Sequence, residues 1–217
     1  METHQAWQTR DHLAVDTPVT RPAGGETAHY KLDPTLAQPT MPDTCLLIRP
    51  SRLDDVPAIA AIYSWNVMHG TGTFELEPPD VAEMARRRDE VLGKGLPWLV
   101  AERGGTVLGY AYANHFRPRP AYRFCLEDSI YLADAARGQG IGRLLLAELM
   151  ARCEAAGARQ MLAVIGDSAN AGSIGVHRSL GFEHTGVLKA SGWKFERWCD
   201  VVIMQKQLGA GDMTDPA

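Results

Sequence analysis

The residues best suited to chemistry lie around one glycine-rich turn. The run Ile130-Tyr131-Leu132 reads as an apolar strand end. It leads into Arg137-Gly138-Gln139-Gly140-Ile141-Gly142-Arg143, which opens a long amphipathic helix. Glycine allows left-handed backbone and lets a ligand approach the amides closely. The first amides of a helix lack partners within it and carry the positive end of its dipole. Flanked by Arg137 and Arg143, such a turn suits a pyrophosphate. The alternative is an ordinary turn before a helix. The spacing is Gly-x-Gly-x-Gly, with no acidic residue about 20 positions on at a strand end, so a dinucleotide fingerprint is not met. A Walker loop would need Gly-Lys-Ser/Thr, which is absent.

Two titratable groups flank this turn in sequence. Glu127 sits on the strand that leads into it, beside Phe124, Leu126 and Ile130. A carboxylate among apolar neighbours is partly desolvated and titrates high; the bland alternative is an exposed strand carboxylate. His177 lies seven residues after Asn170 on a later helix. It could exchange protons near neutral pH, or simply be satisfied by a backbone carbonyl.

The elements that position these residues follow from periodicity. Strands are expected at 45–49, 97–102, 106–115, 124–132, 161–165, 182–188 and 198–207. Helices are expected at 51–68, 80–92, 140–156 and 170–180. Gly104-Gly105 marks a hairpin turn, and Gly181 stops the last helix. The order is β-α-α-β-β-β-α-β-α-β-β, an α/β fold. Residues 1–43 differ: five prolines, Gly24-Gly25, no apolar period, and three basic against six acidic residues. They are expected to form a flexible extension, with Met41 as a second candidate start. Residues 44–208 form the domain, and 209–217 a flexible tail.

Composition narrows the function. The chain is 45% hydrophobic and 22% charged, with net charge −4. That is no polybasic surface, so nucleic acid is not an expected partner. No apolar run approaches the ~20 residues of a membrane span, and no signal peptide is indicated. Cys45, Cys125, Cys153 and Cys199 are too scattered for a zinc site or a disulfide framework. Reduced thiols in a cytoplasmic protein, and no metal, are expected.

Arg137-Gly138-Gln139-Gly140-Ile141-Gly142 resembles the Arg/Gln-x-x-Gly-x-Gly/Ala coenzyme-A loop of the GNAT acetyltransferase superfamily. Asn170 to Phe182 resembles that family's Asn-to-Gly-Phe segment, and the element order is the family's. Tyr122–Leu132, Ala163–Gly166 and Gly192–Asp200 resemble the phosphinothricin (glufosinate) and methionine sulfoximine N-acetyltransferases. The resemblance spans about residues 45–208. It implies a mixed, mostly antiparallel sheet, flanked by helices and splayed between the 124–132 and 161–165 strands to admit acetyl-CoA. It also implies a homodimer.

Site roles follow from the same resemblance. Glu127 matches the general base. His177 departs from the tyrosine of many members but agrees with this subgroup; it would donate to the thiolate or help Glu127 relay a proton. The backbone of Ile130, Tyr131 and Leu132 would bond pantetheine as an added strand. Asn170 and Ser173 would flank it, although Asn170 could equally be a plain helix cap. Residues 137–143 would hold the pyrophosphate. Arg117, Arg119 and Tyr122 would bind an anionic head on the amine substrate, or be solvated loop residues. Phe74, Ser129, Trp193 and Lys194 would complete the substrate site. An acyl-Cys125 route is geometrically conceivable, since Cys125 shares a face with Glu127, but nothing in the sequence activates the thiol. Two rivals remain: the same fold acting on a protein N-terminus, polyamine or aminoglycoside, and a non-catalytic acyl-CoA-binding module.

Overall fold

A computed structural model describes residues 45–216; the extension expected at 1–43 lies outside them. Seven strands form one sheet in the order β1-β2-β3-β4-β5-β7-β6. They are β1 (Leu47–Pro50), β2 (Trp98–Arg103), β3 (Thr106–His115), β4 (Cys125–Leu132), β5 (Gln160–Gly166), β6 (Glu183–Lys194) and β7 (Arg197–Gln207). The helices are α1 (Val56–His69), α2 (Val81–Gly93), α3 (Ile141–Ala155) and α4 (Ala171–Ser179). Element order and fold class agree with the sequence expectation. All neighbouring strands are antiparallel except β4 and β5.

Side chains alternate across a strand, so each face of β4 meets different helices. Tyr131 packs edge-on against Tyr63 of α1, ring centroids 4.9 Å apart. Tyr110, Tyr112 and Trp98 continue that aromatic wall along β3 and β2. The opposite face carries Leu126, buried beneath Ile141, Leu145, Leu146 and Leu149 of α3. Burying these large side chains contributes on the order of 1.5–3 kcal/mol each, which fixes α3 and its preceding turn on the sheet.

Three boundaries differ from expectation. The first helix begins at Val56, not Ser51, because residues 53–55 form a 3₁₀ turn. Arg49 holds the Asp55 carboxylate at 2.7 Å, and Asp55 accepts from the Arg52 amide at 2.6 Å. Strand β6 runs on to Lys194 through an irregularity between Leu188 and Gly192, with Ala190 left-handed. The strand expected to end at Leu188 continues past it, with the irregularity absorbed as a bulge. Beyond β7, Arg159 donates to the Gly211 carbonyl, Thr214 Oγ1 and the Asp215 carbonyl. Those contacts fall on the stretch expected as a loose tail. No helix among the described residues is long and apolar enough to cross a membrane.

Candidate active site

The sheet opens where β4 and β5 part. Their parallel ladder runs from Cys125↔Gln160 to Asp128↔Ala163 and stops. Beyond it β4 stays paired with β3 as far as Leu132, and β5 with β7 as far as Gly166. The inner edges of Ser129–Leu132 and Val164–Gly166 therefore face each other across a cleft of about 950 Å³. The ladder amides and carbonyls on these edges have lost their strand partner. An extended ligand can take that place.

The glycine turn closes the open end. Gly138 and Gly140 are left-handed, with φ of 73° and 76°, and a Cβ on either would meet no atom within 4 Å. Glycine is thus required by the backbone and leaves open space in front of the amides. Gly140 caps α3, whose first turn lines the cleft together with Arg143. Arg137 lies 4.4 Å over the Trp65 ring and donates to Asn66 Oδ1 at 2.9 Å. Asn66 is buried on α1 and donates to the carbonyls of Ile62 (2.8 Å) and Leu132 (3.2 Å). It ties α1, the end of β4 and the turn together. Sequence reading missed it; the available signal was a single amide on an apolar helix face. Gln139 turns away: it donates to the Ala135 carbonyl, accepts from Arg103, and does not line the cleft.

Glu127 lies one rung before the split and lines the cleft on the α1 face. Burial raises its pKa above the ordinary carboxylate range, the neighbouring Asp128 charge adds to this, and Arg117 opposes it. The result is a carboxylate poised to accept a proton closer to neutrality. Ser129 shares this face and sits opposite Tyr112 in the β3–β4 register. Burial and Glu127 both push the Cys125 thiol up, which disfavours the thiolate that an acyl-cysteine route would need.

His177 does not join Glu127. Its Nε2 lies 3.0 Å from Asp128 Oδ2, and both side chains are only 2% exposed. Its Nδ1 donates to the Ser173 carbonyl at 2.7 Å. Adjacent residues of a strand face opposite sides, so Glu127 looks toward α1 while Asp128 looks toward α4. The expected Glu127–His177 relay is therefore not built, and neither ring nitrogen is free for a thiolate. The backbone-satisfied alternative holds for Nδ1, and Asp128 is the partner that sequence reading missed. Asn170 caps α4 by accepting from the Ser173 amide at 3.2 Å, and both residues line the cleft.

The substrate side is only partly as expected. Phe74 packs on glycines: a Cβ at Gly192 would sit 2.2 Å from its ring, and one at Gly166 3.0 Å. Lys194 is 3% exposed and donates to the Thr73 carbonyl at 2.8 Å. It binds loop 70–75 instead of offering its charge to a ligand. Trp193 points outward, 55% exposed, edge-on to Trp198. Neither lines the cleft; Phe195 and Arg197 of the same hairpin do, Arg197 being paired with Asp167. Arg117 lies over the Phe116 ring, Tyr122 packs edge-on to it, and Arg119 is exposed beside them. None of these three borders the cleft. Among the described residues no His, Cys, Asp and Glu cluster of three or more could hold a metal.

A sheet split between a parallel strand pair, a glycine turn capping a helix at the split, and a desolvated carboxylate beside it together define an acyl-CoA-dependent acyltransferase architecture. The chain belongs to the acetyltransferase (GNAT) family, whose model matches residues 59–182. It is 57% identical over 169 residues to the phosphinothricin N-acetyltransferase of Alcaligenes faecalis, covering 78% of this chain and 86% of that protein. It is 41% identical to the L-methionine sulfoximine/L-methionine sulfone acetyltransferase of Pseudomonas paraeruginosa, over 74% of this chain and 94% of the relative. Among solved structures, a phosphinothricin acetyltransferase from Sinorhizobium meliloti in complex with AcCoA superposes with TM-score 0.77. It shares 49% identity, covering 79% of this chain and 93% of that one.

Proposed function

We propose that this protein transfers the acetyl group of acetyl-CoA to the amino group of a small amino-acid-like substrate, of the phosphinothricin or methionine sulfoximine kind. One observation carries the reading: Glu127, desolvated, borders the same cleft as the glycine turn, one rung before β4 and β5 part. The names of the relatives support the substrate class, and the bound AcCoA of the Sinorhizobium protein supports the coenzyme.

The residues divide the work. Arg137, Arg143 and the first amides of α3 hold the pyrophosphate. The free edge of Ile130–Leu132 binds the pantetheine arm, with Asn170 and Ser173 on the opposite wall. Glu127 takes a proton from the substrate ammonium, and the freed amine attacks the thioester carbonyl directly. A β4 amide at the split polarises the carbonyl oxygen. The C–N bond forms and the C–S bond breaks; the second proton, shed by the acylated nitrogen, neutralises the departing thiolate, and the proton on Glu127 passes to solvent. Arg117, Arg119 and Tyr122 serve the substrate's anionic head; the influence of Arg117 on Glu127 supports its nearness. Phe74, packed on Gly166 beside the cleft, and Ser129 shape the substrate end.

The reading includes a cytoplasmic homodimer. Four free cysteines agree with a reducing compartment. The exposed Trp193–Trp198 pair, carried by edge strand β6 and its neighbour, offers an apolar contact surface; light scattering on the purified protein tests it. The activity is tested by acetyl-CoA-dependent thiol release with glufosinate, methionine sulfoximine, a polyamine and an aminoglycoside side by side. Turnover is expected with the first two. A polyamine or aminoglycoside outrunning both overturns the substrate class, and absence of turnover with every amine overturns the enzyme reading.

A further inference from the structure

The Asp128–His177 pair stands at the mechanical centre of the cleft. Asp128 belongs to the last rung of the β4–β5 ladder, so it is the final residue of β4 held to β5 by the sheet. Just beyond it the two walls separate, β4 on one side and α4, with Asn170 and Ser173, on the other. Among the described residues no other hydrogen bond links α4 to β4. His177 is rigidly presented: its Nδ1 bonds the Ser173 carbonyl, its own carbonyl accepts from the Leu180 and Phe182 amides, and the Phe182 ring packs edge-on at 4.9 Å. With Nδ1 donating to a carbonyl and Nε2 3.0 Å from Asp128 Oδ2, the ring and Asp128 share one hydrogen bond. The His177 pKa is accordingly raised by Asp128, despite burial that acts the other way.

We propose that Asp128 is a positioning residue: through His177 it pins α4 to β4 and so sets the width of the cleft that receives the coenzyme arm. The proposal rests on the acetyl-CoA reading. The pair acts as a strut and carries no proton during transfer, because both ring nitrogens are engaged and the pair faces away from Glu127. A misplaced arm on the scale of 1 Å costs up to about a hundredfold in rate, so the strut is worth building even though a buried ion pair adds little net stability.

Three variants test it. Asp128→Leu removes the tie; KM and Kd for acetyl-CoA should rise about tenfold or more, with KM for the amine unchanged. Asp128→Asn keeps a neutral tie, its amide donating to His177 Nε2, and should hold both constants within about twofold. The double variant Asp128→Leu/His177→Leu replaces the pair by apolar groups, which buried ion pairs generally tolerate. It should fold and show the same loss for acetyl-CoA. The acid limb of the rate profile gives an independent readout. Glu127 is acted on by Asp128 of its own strand and by Arg117 from the preceding loop, and it faces Cys125 and Tyr112 of β3, whose pKa values it raises. Removing the Asp128 charge in Asp128→Asn should move that limb to lower pH without abolishing it. A hundredfold loss of kcat in Asp128→Asn with coenzyme binding intact would make the pair part of proton transfer and overturn the strut. Unchanged coenzyme constants in both leucine variants would overturn it equally. Hydrogen exchange of the 171–180 amides reads the strut without ligand: Asp128→Leu should accelerate it there and spare α3. Unaltered exchange contradicts the strut, whereas failure of the unaltered protein to bind acetyl-CoA contradicts only the coenzyme reading.

Discussion

Lys194, at the end of β6, donates its ammonium to the carbonyl of Thr73 at 2.8 Å, joining the 195–197 hairpin tip to the loop after α1. Both segments border the cleft, so this bond, with the Phe74 ring packed on Gly192, sets their separation. Burial lowers the Lys194 pKa, opposed by Cys199 and Glu75. In Lys194→Met the stem's packing stays and the donor goes. A hydrogen bond from a charged group contributes about 1.5–3 kcal/mol. KM for the amine should therefore rise about tenfold while KM for acetyl-CoA stays put, as steady-state kinetics with each substrate varied would read.

The same loop is held by a close approach. A Cβ on Gly166 would lie 1.9 Å from the Thr71 carbonyl oxygen, and backbone cannot yield as a side-chain tip can. Gly166→Ala should push the loop off the end of β5, at about 1–3 kcal/mol of overpacking. That corresponds to about 2–4 °C in Tm per kcal/mol for a chain of this size. Gly192→Ala meets only the Phe74 ring, so Gly192→Ala/Phe74→Leu should recover part of the loss, whereas Phe74→Leu should do little for Gly166→Ala. Thermal melts of the four variants distinguish backbone from ring contact.

Arg117, on the loop before β4, acts electrostatically on Glu127. Its charge lowers the Glu127 pKa against burial and Asp128, which raise it. The working base is the deprotonated carboxylate, so activity is lost as pH falls through that pKa. Arg117→Ala should move the acid limb of kcat/KM to higher pH. It should also raise KM for an anionic amino acid more than for a neutral amine. A pH series with both substrates checks the two effects together.

What could be read from sequence was what the local backbone demands. Gly138 and Gly140 announce a left-handed turn before a helix wherever they stand, and the periodicity of 141–155 gives the helix. The alternation of β4 likewise sets Glu127 and Asp128 on opposite faces. Which helix covers which face is a tertiary fact, so the partnership of His177 with Asp128 was invisible, as was that of Asn66 with Arg137. The hairpin failed for a different reason. The strand expected to end at Leu188 runs on through a bulge, which shifts the cleft-lining role from Trp193 and Lys194 to Phe195 and Arg197. Both Phe195 and Glu196 are left-handed, a conformation their residue types do not advertise.

The central claim is that Glu127 is the base. Glu127→Gln preserves shape and removes the proton acceptor. The decisive measurement is kcat for acetyl transfer to glufosinate or methionine sulfoximine across pH, beside calorimetric acetyl-CoA affinity. The account predicts a fall in kcat of about 10²–10⁴, loss of the acid limb that lies above the ordinary carboxylate range, and unchanged coenzyme affinity. A Glu127→Gln protein that turns over at the unmodified rate, with its acid limb intact, would contradict it.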